Sequence, residues 1–318
     1  MCTAIAKGSC FGRNLDLEYG YLEQVVITPR RFPLHFRKSD TRNDHYSFVG
    51  VATVDQGYPL YYDAMNEKGL AMAGLDFPDN AYYPPLLDDM TNIAPFELIP
   101  WILSQCSTVR QAQKLLTQTH LADISYGEGF PQAPLHWMIA DPTEAIVLEP
   151  THQGLQQYDN PIGVLTNNPP FLFHIAHLGC YQHLRADVQH HNFPGLDLKP
   201  FGGGMGAIGL PGDFSSPSRF VKAAFVCSHS ENTQSQDVTQ FFHLLDTVTM
   251  PAGSIRVSGG RSEITRYSCC CDLKESIYYY VTYGNRRINA IKLHQATENG
   301  SELICFDMPN EQDIYFRN

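Results

Sequence analysis

The hydrophobic period of this chain switches repeatedly between two and three-to-four residues, and the order of those switches limits the folds open to it. Over the first third, short runs bounded by turn residues follow one another: CTAIA, FGRNLDLEY, QVVITP, YSFVGVATV, LYYDAMN and LAMAGLDF. Several alternate with period two, which predicts strands and a mostly antiparallel sheet. From Ala94 the spacing lengthens, and PFELIPWILSQC and TVRQAQKLLTQTHL predict two helices, the second capped by Ser107 or Thr108. LHWMIA, AIVLEP and IGVLTN read as strands again. Helices are predicted over 171–187, over 218–228 and in DVTQFFHLLDTV, and the strand period returns in SIYYYVTY and RRINAIKL. Strands, helices, strands, helices and strands in that order predict a layered α+β fold rather than a repeating βαβ sheet. With no internal repeat, low-complexity tract or linker-like stretch, residues 1–318 are expected to form one domain, with 78–94 and 189–217 as loop elaborations.

Composition narrows the classes of function. Hydrophobic residues at 43% against 17% charged exclude a disordered chain, and no stretch reaches the roughly 20 consecutive apolar residues of a membrane span. The opening MCTAIAKGSCFGRNLDLEYG lacks the basic start, long apolar run and cleavage site of a signal peptide, so a cytoplasmic protein without membrane attachment is expected. Nine cysteines, three of them consecutive at Cys269, Cys270 and Cys271, fit reduced thiols better than a disulfide scaffold. A formal charge of −11 argues against nucleic acid as a partner. Anionic small substrates stay open, because a few local arginines can outweigh a distant net charge.

Chemistry concentrates at the start of the chain. Removal of Met1 would leave Cys2 with a thiol and a free α-amine on one residue, with reference pKa values of about 8.5 and 7.7–8.0. The amine can then take the thiol proton at little cost, and the thiolate can attack a carbonyl carbon. Retained Met1 would turn that amine into a non-basic amide, so active protein is expected to start at Cys2. A buried, inert cysteine is the competing reading. Further on, GRNLDLEY offers Arg13 to stabilise a thiolate and Asp16 to orient an α-ammonium group, or else an ordinary strand with a surface ion pair. Residues three apart on a regular strand face opposite ways, so both can reach Cys2 only past a bulge or a strand end. In VLTNNPP, Asn167 at a strand end could donate to a developing oxyanion, or could simply form the turn before proline.

Two other patterns carry less. Gly204, Gly206 and Gly209 match G-x-G-x-x-G, but no clear strand precedes them and Pro211 follows at once, so a close-packed loop leading to SSPSRF and Arg219 is expected, with no cofactor. His174 and His177, and the adjacent His190 and His191, lack the ligand spacings of a zinc site; no metal is expected.

MCTAIA, FGRNLDLEY, NEKGLAMAGLDFP, LHWMIAD, YDNPIGVLTNNP, GLPGDFSSPSRF and YYYVTYGNRRINAI, in that order, resemble the choloylglycine hydrolase family of N-terminal nucleophile hydrolases, which holds the conjugated bile salt hydrolases and the penicillin V acylases. The resemblance runs from residue 2 to about residue 293. It implies a four-layer αββα sandwich, two antiparallel sheets between helical layers. It also implies a catalytic set of Cys2 as nucleophile, Arg13 and Asp16 beside it, Asp76 and Asn167 at the oxyanion and Arg219 in support. The reaction implied is amide hydrolysis through a thioester, without a cofactor, in a homotetramer. The small-molecule substrate expected is a glycine- or taurine-conjugated bile salt, with penicillin V as the alternative. Leu15 and Phe77 are expected to take the apolar body of the substrate. One position departs from the pattern: in GLDFP, Asp76 stands where related bile salt hydrolases usually have asparagine and penicillin acylases often have tyrosine. An ionised carboxylate there accepts hydrogen bonds only, which leaves a weakly catalytic steroid-acid binder as a further alternative.

Overall fold

The computed structural model describes residues 1–127, 130, 132–187, 193–231, 237–257, 259–293 and 300–318. The elements along the chain are β1 (Cys2–Lys7), β2 (Cys10–Leu17), β3 (Gln24–Thr28), β4 (Phe48–Asp55), β5 (Tyr58–Asn66), β6 (Ala71–Asp76), β7 (Thr91–Ile93), α1 (Leu98–Leu103), α2 (Val109–Leu116), β8 (Thr119–Leu121) and β9 (Leu135–Ala140). Then come β10 (Ala145–Thr151), β11 (Gly154–Asp159), β12 (Val164–Leu165), α3 (Phe171–His177), α4 (Ser216–His229), α5 (Asp237–Asp246), β13 (Ile264–Asp272), β14 (Ile277–Thr282), β15 (Asn289–Lys292) and β16 (Ile304–Asp307).

Two antiparallel sheets carry the architecture. The six-stranded sheet runs β12-β1-β2-β13-β14-β15 and the eight-stranded sheet β11-β10-β9-β6-β5-β4-β3-β16; β7 and β8 form a separate parallel pair. The sheets face each other across a core that includes Ala4, Leu15, Val49, Met65, Ala73, Leu75, Met138 and Tyr267. Helices α4 and α5 lie on the outer face of the six-stranded sheet, against β1, β12, β2 and β13. Helices α1 and α2 cover the other sheet through a second cluster that includes Trp101, Ile102, Val109 and Trp137. This is the αββα sandwich, and it explains why the period-two signal fades in β2: seven consecutive residues there are buried because both faces are covered.

Local chemistry sets the element ends. Thr108 caps α2, its side-chain oxygen accepting from the Gln111 N–H at 3.2 Å. Helix α4 starts one residue after Ser215 with Pro217 in its first turn and runs to His229, longer at both ends than the 218–228 predicted. The helix predicted over 171–187 is shorter: α3 stops at His177, a 3₁₀ turn spans Leu178–Tyr181 around Gly179, and the Arg185 N–H donates to the Gly206 carbonyl instead of continuing a helix. The glycine-rich segment is a loop, as expected: a Cβ on Gly206 would sit 1.9 Å from the Asp187 carbonyl oxygen. All nine cysteines are free thiols. Among the described residues no helix is long and apolar enough to cross a membrane.

Candidate active site

β1 begins at Cys2, whose Cα pairs with Leu15 on β2, and Ala4 pairs with Arg13. The pleat therefore turns Cys2, Arg13 and Leu15 toward the space between the sheets and Thr3, Asn14 and Asp16 toward α4 and α5. Arg13 confirms the first direction, donating from Nη1 to the Tyr62 and Gly74 carbonyls of the facing sheet at 3.1 and 2.6 Å. Asn14 confirms the second by donating to the Leu245 carbonyl of α5 at 3.0 Å. Asp16 thus lies on the face opposite Arg13, and two irregularities bring it to the N-terminal ammonium and Arg219. β1 starts at Cys2, leaving the N-terminus free to pass over the edge, and β13 is irregular between Thr265 and Tyr267, opposite Asp16 and Leu15. Thr265 donates its hydroxyl to the Asp16 carboxylate, and the Asp16 N–H donates to the Met1 carbonyl at 3.0 Å.

Asn167 and Arg219 close the site from the other side. The Cys2 N–H donates to Asn167 Oδ1 at 2.7 Å, and Arg219 Nη2 donates to the same oxygen at 2.8 Å. Arg219 Nη1 reaches the Cys2 carbonyl at 2.5 Å and the Thr3 hydroxyl at 2.6 Å, so one buried guanidinium fixes the whole first residue of the strand. Asn167 Nδ2 donates one hydrogen to the Asp76 carbonyl at 2.8 Å and carries a second. Asp76, the last residue of β6, meets the site through its backbone; its side chain is exposed.

Two buried cations stand near the sulfur. Both Arg13 and Arg219 are buried and interact with the Cys2 thiol group. Burial works to lower the Arg13 pKa, but Cys2, Tyr267, Asp63 and Cys269 together raise it, so this arginine stays cationic. Burial lowers the Arg219 pKa, against the pull of Asp16, Cys2 and Glu263. Burial raises the Asp16 carboxyl above the usual range, opposed by Arg219, the Thr265 hydroxyl and the N-terminal ammonium. Desolvation likewise raises the Asp76 carboxyl, with the N-terminal ammonium and His136 opposing it.

Met1 is present, and its ammonium group is held by the Glu263 carboxylate and by the Asp16 carbonyl at 2.9 Å. Burial lowers the pKa of that ammonium, but Cys2, Glu263 and Asp16 raise it overall. Glu263 is only 4% exposed and gave no sequence signal, since it lies 262 residues from the group it binds.

Of the two residues expected to take the apolar body of the substrate, Phe77 has no exposed surface and stacks flat on His136, ring centroids 4.3 Å apart at 5°. Leu15 is buried opposite Cys2. Two cavities among the described residues, about 550 and 540 Å³, lie around Lys7, Asp141 and Asn160 and around Arg30, Arg42 and Lys68; neither is lined by Cys2. Of the histidines, His174 is buried and donates from Nε2 to the Asn167 carbonyl at 2.9 Å, while His177 stacks on Phe173. His190 and His191 lie outside the described residues. Among the described residues no group of histidine, cysteine and carboxylate side chains could hold a metal ion.

With this geometry in place, comparison with known proteins decides the family. The family model for linear amide C–N hydrolases, choloylglycine hydrolase family, matches residues 2–306. The chain belongs to the choloylglycine hydrolase family. It is 46% identical to a bile salt hydrolase/transferase of Lactiplantibacillus plantarum over the full length of both chains. Its fold superposes on a crystal structure of a variant of conjugated bile acid hydrolase from Clostridium perfringens with a TM-score of 0.93, 35% identity and full coverage of both. A penicillin V acylase from Agrobacterium tumefaciens shares the fold at a TM-score of 0.77 and 18% identity, covering 96% of this chain and 91% of that one. The protein is an amidohydrolase by family, and the sandwich that the family resemblance implied is the fold of both neighbours.

Proposed function

We propose that this chain is a conjugated bile salt hydrolase that cleaves the amide of glycine- or taurine-conjugated bile acids through a thioester on Cys2. The observation that carries the catalytic part is the Asn167 side chain, which takes the Cys2 N–H on its oxygen and keeps an N–H beside the nucleophile. Once Met1 is removed, the nitrogen now donating to Asn167 Oδ1 becomes the α-amine. That amine accepts the thiol proton, the thiolate adds to the substrate carbonyl, and the oxyanion meets the free Asn167 N–H. Collapse of the tetrahedral intermediate breaks the C–N bond, and the amine leaves with the proton from the α-ammonium. Water then attacks the thioester, gives its proton back to the α-amine and releases the bile acid. Arg13 favours the thiolate, Arg219 and Asp16 hold the N-terminus, and the Asp76 backbone carbonyl anchors Asn167. On this arrangement the aspartate is a tolerated variation. Leu15 contributes apolar surface beside the nucleophile.

The substrates named for the relatives at 46% and 35% identity support bile salts. Residues 1–318 are read as a single domain, supported by the family match from 2 to 306. A cytoplasmic homotetramer is supported by nine unpaired thiols and by exposed Leu172 and Phe173 on α3, with Phe201 and Ile208 exposed in the loop that follows. The test is release of free amine from glycocholate, taurocholate and penicillin V by Met1-trimmed protein, with Cys2→Ala as control. Bile salt turnover lost in the control bears out the proposal; turnover of penicillin V alone, or none at all, overturns it. Solution mass by light scattering tests the tetramer, and a monomer at micromolar concentration would refute it.

A further inference from the structure

We propose that His136 and Glu149 act as a positioning clamp that fixes the backbone of segment 166–171, and through it the Asn167 amide, for acyl transfer. This rests on the reading of Asn167 as an oxyanion donor. His136 on β9 and Glu149 on β10 are 0% and 1% exposed, and neither touches the nucleophile. His136 Nε2 faces the Thr166 carbonyl at 2.8 Å, which obliges that nitrogen to carry the hydrogen. Its Nδ1 lies 3.3 Å from Glu149 Oε1, a contact that is a hydrogen bond when the imidazole or the carboxyl carries one further proton, and the same oxygen accepts the Phe171 N–H at 2.8 Å. One side-chain pair on the eight-stranded sheet therefore holds both ends of the stretch that leaves the six-stranded sheet at β12 and begins α3. Asn167 lies between those two anchor points.

The ring of His136 does a second job. It stacks flat on Phe77, the residue after Asp76, whose carbonyl receives the Asn167 amide. The two backbone positions expected at the oxyanion are thereby referred to one imidazole. Within the segment, the Asn167 N–H donates to the Ser216 hydroxyl at 2.9 Å and the Asn167 carbonyl accepts from His174. These bonds set the peptide plane of Asn167, whereas the clamp sets where the segment lies relative to β6. Donors at an oxyanion act over a few tenths of an ångström, so loosening the clamp should lower kcat and leave substrate binding almost untouched.

A double-mutant cycle on the Met1-trimmed full chain tests this, with glycocholate as substrate. His136→Phe keeps the stack and removes both ring hydrogen bonds; His136→Gln restores a donor near Nε2. The expected result is a kcat about 10-fold lower for His136→Phe with KM within 2-fold, at least 3-fold recovered by His136→Gln. In an Asn167→Ala background, His136→Phe should cost less than about 2-fold, because the group being positioned is gone. A purely packing role would lower both backgrounds by the same factor and would show no rescue, and either result overturns the clamp. Glu149→Leu removes the acceptor for Phe171 and is the second variant should His136→Phe fail to fold; an unchanged kcat in it would also overturn the clamp. The underlying reading fails separately, by an Asn167→Ala enzyme of full activity.

Discussion

Asn167 accepts from two donors on its oxygen, gives one hydrogen of its nitrogen to the Asp76 carbonyl and carries a second. Asn167→Asp preserves the acceptor for Cys2 and Arg219 but removes both donors. We expect kcat to fall by about 10²–10³ with KM little changed, measured by steady-state release of glycine from glycocholate. The residue next to it in space, His174, makes an acid-stability prediction. Burial holds its pKa down to about 4, with the hydrogen bond to the Asn167 carbonyl opposing that shift. The unfolded chain binds this proton near pH 6.5 and the folded chain only near 4, so the stabilising contribution is complete above pH 6.5 and is lost as pH falls toward 4. It amounts to roughly 3 kcal/mol. Urea unfolding of His174→Gln should show a correspondingly flatter fall in stability between those pH values; an unchanged slope would contradict the assignment. At this scale the sequence showed Cys2, Arg13 and Asn167 as chemistry. It could not show Glu263, His136 or Glu149, because their contacts span 262, 30 and 22 residues and leave no local pattern.

Elements were legible where their period was long and one-sided, as in α2, β4 and β5. The reading was weakest in two kinds of place. β11 and β16, the two edges of the eight-stranded sheet, are short and half-buried and stand out little from loop, and α3 breaks where Gly179 and the neighbouring loop capture the chain. The puzzle of Arg13 and Asp16 also belongs here. Strand period alone puts them on opposite faces, which is correct, and only the strand start at Cys2 and the irregularity in β13 show how both serve one site. Gly12 on β2 gives a test of how closely α5 lies on that strand. A Cβ at Gly12 would come within 1.9 Å of the Cys269 carbonyl oxygen and 2.8 Å of the Phe241 ring. Gly12→Ala should therefore cost about 1–3 kcal/mol by overpacking, read as a lower thermal midpoint. An unaffected midpoint would mean that the helix and sheet separate easily.

At the scale of the molecule, the two sheets have different tasks. The six-stranded sheet carries Cys2, Arg13 and Asp16 on its central strands, and the eight-stranded sheet brings Asp76, Phe77 and the histidine clamp up to meet them. The N-terminus lies at their junction, with its ammonium bound by Glu263, and in the proposed mechanism the state of residue 1 decides whether the site has a base. The measurement that tests this most directly is intact-mass spectrometry of enzyme quenched during turnover of glycocholate. The account predicts that active protein lacks Met1 and carries one bile acyl group, mapped to the peptide that begins with Cys2 and absent in Cys2→Ala. Full activity in protein that retains Met1, or an acyl group on any other residue, would contradict it.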